Sequence, residues 1–116
     1  MTVTGIPMVL IYVTDVLKSV KWYETTLDLP VLYQDEGFAS LGIGEQRLGL
    51  HTGDTGGDRA GSTPVFSVDD YPTSKAKLES RGCEFYFENE TPNAIFGSFK
   101  DPDGNALQPI QTLNHL

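Results

Sequence analysis

One order of local signals occurs twice in this chain: a β-rich run ending at an aspartate, a capped helix, then three more β-rich runs. In the first half the opening run is Met8 to Val13. Asp15 follows as a helix N-cap, because its carboxylate accepts from the open amides of a first helical turn. Val16, Val20, Tyr23 and Leu27 then recur at helical spacing and make one apolar stripe. Pro30 stops the helix, since it has no amide to donate and restricts Leu29 before it. Three strands are expected next: Val31 to Gln34, Phe38 to Ile43, and Arg47 to His51, the last two joined by a hairpin turn at Gly44-Glu45-Gln46.

The stretch from Gly53 to Thr63 is rich in Gly, Asp, Ser and Thr and reads as a linker. The pattern then restarts. Val65 to Val68 is a strand, Asp69-Asp70 a cap signal, Pro72 a first-turn residue, and Gly82 suits the left-handed position that ends a helix. Cys83 to Phe87, Ala94 to Phe99 and Ala106 to Ile110 supply three strands, with Asp101-Pro102-Asp103-Gly104 turning into the last. The repeat is weak in letters and firm in layout. It predicts an α+β fold in which each helix covers one sheet face. At 116 residues there is material for one core, so the expected organisation is a single domain over 1–116. Module one runs about 5–52, the linker 53–62 and module two about 63–112.

Sixteen acidic against eight basic side chains leave a formal charge of −8. That excludes nucleic acid as the expected partner, because binding phosphates needs clustered Lys and Arg. It disfavours an anionic membrane surface too, and no apolar run is long enough to span a bilayer. A cationic guest is mildly favoured by the same charge. The start of the chain has neither a basic opening nor a long apolar run, and the single cysteine, Cys83, permits no internal disulfide, so the expected location is cytoplasmic.

Two stretches carry a family resemblance. Asp15-Val16-Leu17-Lys18-Ser19-Val20-Lys21-Trp22-Tyr23, ending in Leu27-Asp28-Leu29, resembles the first helix of the glyoxalase / bleomycin-resistance / extradiol-dioxygenase (vicinal oxygen chelate) superfamily, with Asp28 where a glycine usually sits. Phe99-Lys100-Asp101-Pro102-Asp103-Gly104-Asn105 resembles the turn into that family's last strand. The resemblance implies two βαβββ modules forming curved mixed sheets around a cleft. In the family's metalloenzymes the ligands come from the first and last strands of each module. Carried over place by place, they fall on Met8, Gly49, Thr63 and Gln108. A divalent ion wants imidazole, carboxylate or thiolate, and this quartet offers none of them. No metal and no other cofactor is therefore expected.

His51 lies two residues beyond Gly49, on the same strand face, and is a candidate for a general base or a ligand hydrogen bond. Met8, Leu10 and Tyr12 share one face of the first strand, Thr63, Val65 and Ser67 one face of the fifth, and Gln108 and Ile110 one face of the eighth. Together with His51 they would make an apolar lining with a few polar groups, as small-molecule sites have. Which faces Phe38, Tyr86, Phe87 and Phe96 occupy is left open by alternation alone. Asp101, Asp103 and Asn105 mimic the start of a calcium loop, but Ala106 and Thr112 replace its glycine and closing glutamate. The expected function is metal-independent binding of a small organic molecule, such as the cationic drugs taken up by proteins of the bleomycin-resistance type. The alternatives are a lyase, isomerase or dioxygenase-like enzyme with an atypical site, and an accessory module that has lost its ligand. A homodimer is expected, since clefts in the family often lie between chains.

Overall fold

The computed structural model describes residues 1, 2, 4, 6–53 and 63–113. The expected linker, beyond Gly53, and His115 lie outside the described residues. The chain divides into two compact units, Met1–Gly56 and Gly57–Leu116.

In the first unit the elements are β1 (Val9–Val13), α1 (Val16–Leu27), β2 (Val31–Gln34), β3 (Phe38–Ile43) and β4 (Gln46–Thr52). Asp15 caps α1 as its type predicts: extended backbone, with a carboxylate oxygen accepting from the Lys18 amide at 3.1 Å. The helix ends at Asp28, which takes the left-handed conformation at φ 56° that a glycine usually fills. Val16, Val20 and Tyr23 are buried as their spacing requires, joined by Ser19 and Thr26, while Leu27 in the last turn is only half-buried.

The sheet runs β1-β4-β3-β2, with β1 parallel to β4 and the rest antiparallel. Ile11, Val13, Ala39, Leu41, Leu48 and Leu50 are buried on the face that α1 covers. Alternation sends Leu10, Tyr12, Phe38, Ser40, Gly49 and His51 to the opposite face. The hairpin between β3 and β4 is tighter than expected. Ile43 pairs with Gln46, so Gly44 and Glu45 alone form the loop, with Gly44 at φ 57° in the first central position of a type II′ turn.

The second unit repeats the plan: β5 (Val65–Ser67), α2 (Tyr71–Ser80), β6 (Phe87–Glu90), β7 (Ala94–Lys100) and β8 (Ala106–Thr112), in sheet order β5-β8-β7-β6. Asp70 caps α2 by accepting from the Thr73 amide at 3.1 Å, and Pro72 lies in the first turn. Tyr71, Leu78, Cys83, Phe99, Leu107 and Pro109 are buried here. Pro109 sits inside a central strand, an unusual place for a residue with no amide. The β7–β8 pairing lapses beside it, between Phe96↔Ile110 and Phe99↔Leu107.

One strand is displaced from its expected place. Cys83 to Phe87 reads as β-prone, yet β6 begins only at Phe87 and continues through Asn89 and Glu90. The Cys83 amide is already committed to the Leu78 carbonyl, closing the end of α2 behind Gly82 at φ 94°. Phe85 is drawn against Tyr71 and Phe99. Sheet pairing starts once those bonds are made, so β7 selects the polar residues that follow.

Among the described residues, no helix is long and apolar enough to cross a membrane.

Candidate functional site

The face of the first sheet turned away from α1 brings together five of the residues singled out by sequence: Met8, Leu10, Tyr12, Gly49 and His51. Register fixes the arrangement, since Leu10 stands opposite Gly49 and Tyr12 opposite His51. Met8 lies one residue before β1, although the sequence pattern put it on the strand. Gly49 is buried without a side chain because its neighbours fill the space. A Cβ there would lie 2.5 Å from the Met8 sulfur and 2.8 Å from Leu10 Cδ1. Leu10 itself remains 42 % exposed, so this packing forms a surface and is not closed core.

Whether the four residues picked by the family resemblance suit a metal can be judged from each one's own donor chemistry. In the quartet Met8, Gly49, Thr63 and Gln108, the position with no side chain is plugged by a thioether and an isobutyl group. Gln108 brings at most one neutral amide oxygen, and Thr63 a neutral hydroxyl. Among the described residues, no three His, Cys, Asp or Glu side chains gather. The residues present do not fit a divalent ion.

His51 brings an imidazole to this face. Its Nδ1 lies 2.6 Å from the carbonyl oxygen of Thr52. A carbonyl only accepts, so Nδ1 carries the proton in the neutral ring and Nε2 presents a lone pair. Tyr12 meets the imidazole edge-on, with ring centroids 5.9 Å apart, and Phe38 flanks it at 6.4 Å. Tyr33 continues the row, 6.2 Å from Phe38. The four rings therefore come one from each strand, in the order β1, β4, β3, β2.

Tyr33 reaches this face through a bulge. The β2–β3 register shifts between Val31↔Leu41 and Tyr33↔Ser40, so Leu32 and Tyr33 both fall on the side away from α1. Leu32 lies over Gly42, 3.6 Å from where its Cβ would be. The Tyr33 hydroxyl donates to a carboxylate oxygen of Asp35, whose other oxygen accepts from the amides of Gly37 and Phe38 at 2.8 Å each. The Tyr33 bond and then those two amides hold the Asp35 carboxyl below the ordinary range, while bonding to Asp35 pushes the Tyr33 phenol up.

In the second unit, Val65, Gln108 and Ile110 share the sheet face opposite Leu107 and Pro109, with Val65 paired to Gln108 and Ser67 to Ile110. Gln108 thus stands to Val65 as Gly49 stands to Leu10. Thr63 is exposed and lies two residues ahead of β5, off the strand where the pattern had placed it. Phe96 and Phe87 add an aromatic contact at 5.9 Å on adjacent strands. The calcium-like turn is satisfied internally. Asp101 accepts from the amides of Asp103 and Asn105 and from the Asn105 side chain, which leaves it a structural cap.

Tyr33, Phe38 and Asp35 were not among the residues expected at the site. The signal for Phe38 was the turn: a two-residue loop at Gly44-Glu45 dictates that Phe38 faces His51. Nothing in the letters announces the bulge that brings Tyr33.

Comparison with known proteins agrees with this architecture. The family model described as Glyoxalase/Bleomycin resistance protein/Dioxygenase superfamily matches residues 5–108. Among solved structures, a protein described as of the glyoxalase family from Bacillus anthracis superposes with a TM-score of 0.82 at 18% identity, over 97% of this chain and 98% of the other. Lactoylglutathione lyase from Agrobacterium tumefaciens gives 0.79 at 16% identity, over 95% of each chain. A glyoxylase/bleomycin resistance protein/dioxygenase domain from Frankia sp. EAN1pec gives 0.76 at 28% identity, over 96% and 99%. No curated protein sequence matches the chain.

Proposed function

The chain belongs to the Glyoxalase/Bleomycin resistance protein/Dioxygenase superfamily, and we propose that within it this protein binds a small organic molecule without a metal, a cationic drug being one such guest. The observation that carries the reading is the plugged position at Gly49. Where a ligand-bearing side chain would be needed, Met8 and Leu10 make an apolar surface instead. Met is well suited to such a wall, being unbranched and polarizable. Met8, Leu10 and Tyr12 supply apolar contact, and His51 fixes orientation. On the second unit Val65 and Ile110 are the apolar contacts, with Thr63 and Gln108 as the polar ones. Binding alone is enough for sequestration: a Kd of about 1 μM corresponds to about −8 kcal/mol. The formal charge of −8 favours a cation over an anion.

A second reading has support from one observation. The bond from Nδ1 of His51 to Thr52 leaves Nε2 as a proton acceptor on an exposed sheet face, which is what a metal-free acid–base catalyst requires. We place the protein in the cytoplasm, in keeping with its single cysteine, whose thiol is pushed up by burial and so disfavoured as a nucleophile. Two chains are expected to pair, and sedimentation at tens of micromolar checks it; a monomeric mass would refute the pairing.

The deciding experiment joins metal analysis of the purified protein to native mass spectrometry. Far less than one zinc, nickel or iron per chain, with a retained organic molecule, supports binding. Stoichiometric metal overturns it in favour of an enzyme. Equilibrium dialysis in which cationic aromatic drugs are not retained would remove the drug version alone.

A further inference from the structure

Behind the end of α2 the second unit opens into a cleft of about 400 Å³, lined by Gly82, Glu84, Phe85, Tyr86 and Lys100. It shares no lining residue with the site residues named on either sheet face. Its walls follow from local backbone chemistry. Gly82 sits at φ 94°, a conformation that side chains rarely allow, and a Cβ there would meet no atom within 4 Å. The space over it is open. The chain on either side is held: the amides of Gly82 and Cys83 bond to the Glu79 and Leu78 carbonyls, and the Tyr86 amide bonds to the Ser98 carbonyl. Phe85 is fixed against Phe99, with ring centroids 5.2 Å apart, while its neighbour Tyr86 stays 57 % exposed.

Two opposite charges border this space. Lys100, the last residue of β7, holds its ammonium 5.5 Å from the centre of the Tyr86 ring. Glu84 lies on the same cleft. Among the described residues, neither side chain forms an ion pair, with the other or with a third group. A guest with only a negative charge would gain Lys100 and be opposed by Glu84, in a protein whose formal charge is already −8. A guest with only a positive charge would meet the reverse. A molecule carrying both charges on one carbon centre satisfies both groups at once. The exposed Tyr86 ring adds an apolar wall, which favours a guest with a ring or other apolar group beside its charges. The volume is that of a small-molecule site.

We propose that this cleft binds a free α-amino acid with an apolar side chain, best an aromatic one. Its carboxylate pairs with Lys100, its ammonium with Glu84, and its side chain lies against Tyr86. The two charges together discriminate against the same residue in a peptide, which keeps at most one of them. The site lies wholly within the second unit and is independent of what the sheet faces bind, so either reading can fail alone.

Four compounds test it on the whole protein: L-phenylalanine, with both charges; N-acetyl-L-phenylalanine, with the carboxylate alone; L-phenylalaninamide, with the ammonium alone; and glycine, with both charges and no side chain. Titrations followed by amide chemical shifts should show phenylalanine binding about tenfold more tightly than the other three, with shifts centred on Gly82 to Tyr86 and Lys100. Lys100→Gln should weaken phenylalanine about tenfold and leave phenylalaninamide unweakened. Glu84→Gln should weaken phenylalanine likewise and leave N-acetyl-phenylalanine unweakened. Tyr86→Ala should bring phenylalanine down toward glycine. All three substitutions fall on exposed side chains, so the fold is kept. The absence of any shift at the solubility limit of phenylalanine would overturn the proposal. So would equal affinity for phenylalanine and either singly charged relative, shifts centred elsewhere on the protein, or indifference to both charge substitutions.

Discussion

The hydroxyl of Tyr71 lies directly over Gly97: a Cβ on residue 97 would stand 2.1 Å from that oxygen. It would also be 2.9 Å from both Phe85 Cδ2 and the carbonyl oxygen of Phe87. Tyr71 is 1 % exposed, and among the described residues its hydroxyl meets no partner at ordinary hydrogen-bond length, although Glu88 lies near enough to act on it. Burial first, and then the nearby Glu88 charge, push its ionisation up. The missing side chain on β7 is therefore the space that lets α2 seat its first residue.

Gly97→Ala should cost about 2–4 kcal/mol of stability by overpacking. Tyr71→Phe should fall within about 1 kcal/mol of the parent, or above it, since an unpaired buried hydroxyl is removed. The double variant should recover part of the alanine penalty. Urea midpoints for the four proteins decide it, and strict additivity would contradict the contact.

Gly49→Ala offers a contrast. The three atoms nearest its added Cβ would belong to the flexible side chains of Met8 and Leu10, and none of the three is backbone. Its cost should be about 1 kcal/mol or less, well below that of Gly97→Ala. A larger loss in the same urea series would mean that Met8 and Leu10 are locked in place.

Asp35 should show itself in pH dependence at both ends. The fold holds its carboxyl below the ordinary value near ~3.9. Its contribution is therefore present above that value and lost as pH falls through the folded one. The Tyr33 phenol is raised by the same bond. The corresponding contribution is complete below the ordinary value near ~10 and disappears as pH rises through the folded one. Asp35→Asn should flatten the acid limb of a denaturant midpoint–pH curve and let one phenol titrate earlier by ultraviolet absorbance. An unchanged pair of curves would refute the bond.

Asp28 occupies a left-handed position at φ 56°. Replacing it with glycine should stabilise the protein by about 0.5–1 kcal/mol, because glycine meets no Cβ penalty there. Thermal unfolding checks the sign; a fall in Tm would show that the aspartate side chain contributes more than its backbone costs.

The twofold plan was legible because its punctuation is local. Asp15 and Asp70 cap helices by chemistry that depends on the neighbouring amides alone, and Gly44 and Gly82 mark conformations that few other residues take. What depends on partners was harder to read. Cys83 to Phe87 has strand propensity, but the Leu78 carbonyl and the Tyr71 ring claim its first residues, and β6 slides toward Glu90. At the candidate site, two-residue alternation placed Leu10, Tyr12, Gly49 and His51 on one face, as the register has them. Tyr33 escaped because a bulge breaks that alternation, and bulges are set by tertiary fit.

The parallel pairing of β1 with β4 also bears on how the first unit assembles. Helix α1 and the β2–β4 meander close through neighbouring segments, but Val9 must wait for Leu48 to exist as a strand edge. Contacts of long sequence separation are the slow ones, since their loop-closure entropy is spent before any bond is gained. On this ground β1 is expected to dock last, and a β4 still without it would be a bare edge to which another extended segment could add. An exposed edge of that kind would be open to association with the wrong partner for as long as it lasted.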